Sequence, residues 1–275
     1  FFYGRKPAKS IFIEIGLTLV LFALFMLLMG QLYDLSYDGN NYHKLAVGLL
    51  ANGWNPLYEV PSIDIAFESS NAQTNIWAEC YCKMTWIFAS SIYAITGNIE
   101  CGKVYTLLGI IIVFLLTSYC LHKLGKKKYI IIVFSLIASL NPIALQQLYV
   151  FYIDGFMQLM LFALLISLYM LYRQDLFDKK LSLSLIASTM IICANIKFTG
   201  LLFGGLFCVV YFVIWCIKEK KVNINYRKSS LLMFSFFACV AGVSVIWAGS
   251  NSYIINFLHH GNFLYPLIGD RKSVV

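Results

Sequence analysis

The chain has 275 residues, of which 60% are hydrophobic and only 12% charged. Soluble domains carry about twice that charged share. Apolar runs of roughly 18 residues mark helical bilayer spans, and the ~10-residue alternation of a membrane β-barrel is not seen. The net charge of +8 implies no nucleic-acid surface, because the basic residues fall in short clusters between apolar runs, where they set membrane topology.

Taken in chain order, Arg5, Lys6 and Lys9 precede a first apolar run over 11–32, too long for a cleavable signal and read as an anchor. The stretch 33–101 then holds Asp34, Asp38, Glu59, Asp64, Glu68, Glu79 and Glu100, with only Lys44 and Lys83 among the cations. Inside it, Met84 to Gly97 is apolar but short for a span, which predicts a helix along the membrane interface. Further spans are predicted over 102–122, 129–147, 155–172, 181–196, 200–217 and 229–249. Their shared basic flanks are Lys123 to Lys128, Arg173 to Lys180 and Lys218 to Lys228. Basic clusters mark the cytoplasmic side. The run from Tyr129 to Tyr172 therefore crosses twice, and that from Leu181 to Ile217 forms a tight hairpin turning near Asn195 to Gly200. The predicted fold is an all-α polytopic membrane protein with about seven transmembrane helices. Its N-terminus is cytoplasmic, its long first extracytoplasmic loop carries interfacial helices, and its home is the plasma membrane.

Five cysteines (Cys120, Cys193, Cys208, Cys216, Cys239) lie in apolar segments and read as small packing residues. Cys80, Cys82 and Cys101 share the polar stretch, where a disulfide from Cys101 to either of the others is open. With no histidine near them in sequence, Cys80 and Cys82 make a poor zinc site.

The topology gathers chemistry on the outer face. The first loop supplies Asp34, Asp38, Asn41, His43 and Lys44, and the second Tyr149, Tyr152 and Asp154. The hairpin tip supplies Lys197, and the last outer segment His259, His260, Asn262, Tyr265 and Arg271. A carboxylate beside apolar spans is costly and often functional. Asp154, among aromatics in YVFYIDGF, is the most informative of these groups, and Asp38 in YDGNNYH should lie at the same depth. One carboxylate can serve as a general base while the other orients it, or the two can hold a metal. His43 can assist as base or ligand, and Lys197 can pair with phosphate. The plain alternatives are helix N-capping by Asp38 and Asp154, a hydrogen-bonded surface histidine, and an interfacial lysine.

These residues resemble a family. One span followed by YDGNNYHKLAVGLLANGWNP, a long outer loop, inner LHKLGKKK, YVFYID opening span four, NIKFTGLLF at the hairpin and HHGNFLYPL after span seven are similar to the N-terminal part of the GT-C superfamily. Its members are membrane glycosyltransferases that use polyprenyl-phosphate sugars, such as protein O-mannosyltransferases and aminoarabinose transferases. The resemblance implies an essential acid at Asp38, with Asp34 as the other candidate. It implies a second acid at Asp154, a lysine at Lys197, and a loop matching Gly261, Asn262, Tyr265 and Pro266. Asp38-Gly39 stands where many relatives have Asp-Glu, and ECYCKMTW stands where many have a Pro-Pro pair. Relatives are usually longer, so a C-terminally truncated domain is expected.

The expected activity is inverting transfer of a hexosyl or pentosyl group from a polyprenyl-phosphate donor to a hydroxyl of a glycan, lipid or protein acceptor. The expected catalytic groups are Asp38, Asp154 and His43. Lys197, Asn41, Tyr152, Asn262, Tyr265 and Arg271 are expected to hold substrate and phosphate, and a divalent metal (Mg or Mn) is a candidate cofactor at Asp38 and Asp154. A carrier or flippase for a polyprenyl-linked substrate and a non-catalytic assembly subunit are the competing readings.

Overall fold

The first apolar run forms α1 (Ala8–Met29), 22 residues or about 33 Å at 1.5 Å per residue. Large apolar side chains such as Phe12, Leu17 and Leu24 stand exposed along it, an arrangement that lipid solvates and water does not. The computed structural model describes residues 8–60, 72–222 and 224–267, and no strand occurs among them. The protein is an all-helical membrane protein. Among the described residues five helices are long and apolar enough to cross a bilayer: Ile99–Lys123, Asp154–Tyr172, Lys179–Ile196, Phe198–Lys221 and Tyr226–Trp247.

Between α1 and the first of these lies the predicted polar loop, which is largely helical. A π-helical turn (Gly39–His43) runs into α2 (Lys44–Ala51), and α3 (Ala72–Cys80) and α4 (Met84–Thr96) follow. Gly97 closes α4 with φ of 67°, a left-handed cap that glycine adopts without Cβ strain. A 3-10 turn then leads into α5 (Tyr105–Lys123). The run expected to span over 129–147 is divided. It forms α6 (Lys128–Ser139) and the short α7 (Pro142–Gln146), with Asn141 accepting the Ala144 N–H as N-cap. Pro142 has no N–H to continue the ladder and disfavours helix in the residue before it, so the chain breaks there. The remaining helices are α8 (Asp154–Tyr172), α9 (Lys179–Ile196), α10 (Phe198–Val222), α11 (Tyr226–Gly242) and α12 (Ile255–His260), with two π-helical turns between the last two.

Small residues let the helices approach, as lipid-embedded packing requires. Gly109 of α5 lies against Phe156 and Leu159 of α8, Gly102 against Ala89, and Gly204 of α10 against Met190 of α9. The hairpin between α9 and α10 turns on the single extended residue Lys197. Gly200 sits so close to the Cys193 carbonyl that a Cβ would collide with it.

The bundle has two unlike ends. At one, Lys218 donates to the Tyr172 carbonyl (2.9 Å) and Arg173 pairs with Asp175 (2.7 Å). At the other, the acidic loop packs over the starts of α5 and α8. All eight cysteines are free thiols, so the open disulfide from Cys101 is not formed. Cys101 instead packs beside Gly30, and Cys82 bonds the Ala194 carbonyl and Tyr253 hydroxyl.

Gly200→Ala should destabilise the protein by about 1–3 kcal/mol, because the obstacle is backbone. Gly205→Ala, with open space around its Cβ direction, should leave stability unchanged or raise it. Thermal unfolding of both variants in one detergent checks this.

Candidate functional site

Beyond α1 the chain enters a buried ionic cluster. Asp34 is 2% exposed. Its carboxylate accepts the N–H of Ser36 and of Phe151, each at 2.7 Å, and its own N–H donates to Glu100 at 3.1 Å. Glu100, 4% exposed, takes Lys44 at 2.5 Å and Lys103 at 2.6 Å. Lys103 also donates to the Leu32 carbonyl. Glu100 is balanced by the two ammonium groups and the Asp34 carboxylate by backbone N–H donors, the conditions for keeping charges out of water. The cluster staples the first loop onto the segment around Phe151. Its carboxylate also fills the space beside Gly39, where any Cβ would strike it. That contact is a physical reason for glycine, not glutamate, after Asp38.

Stapled in this way, the π-helical turn carries Asp38, Tyr42 and His43 over the bundle end. Tyr42 donates to Asp38 Oδ2 at 3.3 Å. Burial pushes its hydroxyl well above the ordinary tyrosine range, and the charges of Asp38 and then Asp154 push it further. Lys197 Nζ meets Asp154 Oδ1 at 2.7 Å, with side chains 38% and 45% exposed. The hydroxyl of Tyr81 is raised by burial and by Asp38. Asp38 and the Asp154–Lys197 pair, from three separate stretches of sequence, lie at the same end of the bundle, where Asp34 ties the first loop to Phe151. Aromatic rings flank them: Trp77 and Tyr81 lie 5.1 and 5.8 Å from the ring of Tyr42.

Neither aspartate makes a capping bond. Asp38 precedes its turn without one. At the start of α8 the Gly155 N–H goes to Gln147 Oε1 at 2.6 Å, which leaves Asp154 to Lys197. His43 is not a surface group. It is 1% exposed, and its Nδ1 accepts the indole N–H of Trp86 at 2.6 Å. Burial, and next the charge of Lys197, bring its pKa down to about 3, with Asp154 opposing. It is a neutral imidazole whose proton sits on Nε2, and the expected base or ligand role has no lone pair available at Nδ1.

Of the other expected residues, Asn41 is half-buried on the same turn as Asp38. Tyr152 is half-buried just before Asp154, and its carbonyl faces the Tyr105 hydroxyl at 3.4 Å. Asn262 and Tyr265 take a different place. Asn262 Oδ1 accepts the Leu264 N–H at 2.9 Å, and the Tyr265 ring stacks on His260 with centroids 3.8 Å apart. Asn256 ties this turn to the first loop, donating to the Cys80 carbonyl (2.9 Å) and the Tyr265 carbonyl (2.8 Å). Arg271 lies outside the described residues. Between the two places runs the Cys80–Lys83 segment. The buried Lys83 ammonium donates to the carbonyls of Glu79, Tyr81 and Asn251, and burial lowers its pKa to about 8.

The Lys197 ammonium lies 2.7 Å from Asp154 Oδ1, so a divalent ion shared by Asp38 and Asp154 would displace it, and Mg²⁺ demands several oxygen ligands in near-octahedral geometry. Sequence reading missed the roles of Glu100, Lys103, Trp86 and Tyr81, because nothing in their spacing announces partners in the first loop, far off along the chain.

Asp34→Ala should cost about 1–3 kcal/mol for each of the two N–H groups, of Ser36 and Phe151, that it leaves unpaired, measured by chemical unfolding in detergent. For His43 the sign is fixed by its lowered pKa. The unfolded chain binds a proton below about pH 6.5 and the folded one does not, so its contribution is complete above that pH. By pH 5 the loss should reach about 2 kcal/mol. His43→Gln, whose amide oxygen can accept from Trp86, should flatten that acid slope in thermal unfolding between pH 7 and 4. Set beside family models, curated proteins and solved structures, the chain matches none of them.

Proposed function

We propose that the protein is a glycosyltransferase that works at the outer face of the plasma membrane, moving a sugar from a polyprenyl-phosphate donor to an acceptor hydroxyl with inversion. One observation carries the proposal. Asp38 accepts the Tyr42 hydroxyl at 3.3 Å beside the rings of Trp77 and Tyr81, and the half-exposed Asp154–Lys197 ion pair brings a second carboxylate and a cation to the same end of the bundle. A base, a cation suited to phosphate and flat rings suited to the C–H faces of a sugar meet at the end of the bundle opposite the basic clusters.

The division of labour follows from the partners. Asp154 is committed to Lys197, whereas Asp38 meets only a weakly acidic phenol, so Asp38 is the base. The acceptor oxygen forms a bond to the anomeric carbon and passes its proton to the Asp38 carboxylate. The bond from that carbon to the phosphate oxygen breaks, and its electron pair leaves with the polyprenyl phosphate. Lys197, held by Asp154, balances the charge that gathers there. Asp34 serves as the staple and not as the acid. A carrier would need ionisable groups deep within spans. The charged groups described above all lie at helix ends or in loops, which favours the transferase.

Turnover of a panel of polyprenyl-phosphate sugars, with products read by mass spectrometry, tests the reading. Asp38→Asn should lose about 10²–10⁴-fold in rate, as removal of a general base does, while its melting temperature stays near that of the wild type. Lys197→Met should lose about 10²–10³-fold, with partial recovery in Lys197→Arg. Full activity in well-folded Asp38→Asn would overturn the proposal.

A further inference from the structure

The second cluster at the acidic end is built from residues 180 positions apart. Glu79 and Cys80 close α3, and His260 closes α12. A carboxylate oxygen of Glu79, the Sγ of Cys80 and a ring nitrogen of His260 all lie within 4.8 Å of one another. The Cys80 Sγ to His260 Nε2 distance is 3.8 Å, and that from His260 Nε2 to Glu79 Oε1 is 3.9 Å. Metal–ligand bonds of about 2.3 Å to sulfur and about 2.0–2.2 Å to nitrogen and oxygen place the corners of a tetrahedral zinc site about 3.3–3.6 Å apart. The two edges at His260 need to close by about half an ångström or less, and the Glu79–Cys80 edge, within 4.8 Å, by at most roughly 1.2 Å.

The surroundings are those of a held site. His259 Nδ1 stands 3.2 Å from Glu79 Oε1, the outer partner that orients a ligating carboxylate. Tyr265 stacks flat on the His260 ring, with planes 14° apart. Asn256, buried, bonds the Cys80 carbonyl on one side and the Tyr265 carbonyl on the other. The elements bearing the ligands are thus braced independently of any ion. One thiol, one imidazole and one carboxylate suit zinc and similar borderline metals, while magnesium, calcium and manganese favour all-oxygen sets.

We propose that Glu79, Cys80 and His260 bind a zinc ion, leave its fourth position to water, and use it to clip the segment after α11 onto the first loop. The site is separate from the Asp38 and Asp154–Lys197 group and stands whether or not the transferase reading does.

The full chain, purified on a tag without histidines, would be equilibrated with zinc, freed of excess by gel filtration and measured by mass spectrometry for metal content. One zinc per chain is expected. Cys80→Ser and His260→Ala should abolish retention. Cys239→Ser, at an exposed thiol on α11, should keep it, and His259→Ala should weaken affinity roughly 10–100-fold. Cobalt substitution of the wild type gives a second readout that needs no variant to fold. A thiolate-to-cobalt charge-transfer band with tetrahedral visible absorption is expected, and its absence overturns the proposal. Wild-type protein without bound zinc, or folded Cys80→Ser that retains zinc in full, would also overturn it.

Discussion

The acidic end of the molecule depends on one constraint: charges withdrawn from water must be balanced where they lie. Glu100 meets that condition with Lys44 and Lys103, and Asp34, whose own N–H reaches Glu100 across 66 residues of sequence, meets it with backbone N–H donors. The balance is geometric as well as electrical. The Asp34 carboxylate spends its acceptors on the backbone of two loops, so the first loop cannot lift from the bundle without stranding charge. Asp38 and Tyr42 inherit their positions from that staple, only four to eight residues away. A polar loop that might otherwise drift at a membrane surface becomes a wall of fixed orientation.

Charge is handled differently a short distance away. Asp154 and Lys197 are paired but more than a third exposed, so solvent screens their attraction and the pair is worth little to stability. Such a pair is available to a ligand, since an incoming anion exchanges one partner of Lys197 for another at small cost. The buried set fixes the structure, and the open pair can exchange partners.

How far the sequence foretold this differs between fold and site. Apolar runs and basic clusters located the helices, and the hairpin tip fell on Lys197, because hydrophobic length and flanking charge are local properties. The break in the run over 129–147 was written in Asn141-Pro142, but its apolar composition outweighed that signal. Asp38, Asp154 and Lys197 could be grouped because topology alone puts loop tips at one face. His43 was misjudged, since a histidine in a polar run gives no sign that Trp86 will bury it. Likewise Cys80 seemed to lack a histidine because sequence distance stood in for spatial distance, and α12 returns His260 to its side. Asp34 and Asp38 look alike in sequence, and only their partners distinguish the buried staple from the carboxylate left with a single phenol.

The divided helix has a consequence for the lipid around it. At 12 residues, α6 reaches about 18 Å, well short of a hydrocarbon core about 30 Å thick. The short α7 resumes the path after a turn and lies against Gly155, beside Asp154. Such a mismatch is relieved by thinning of the adjoining leaflet, at a fraction of a kcal/mol per ångström. Lipid on this flank would meet a shorter apolar helix than it meets along α8 to α11, ending at the short α7 beside Asp154.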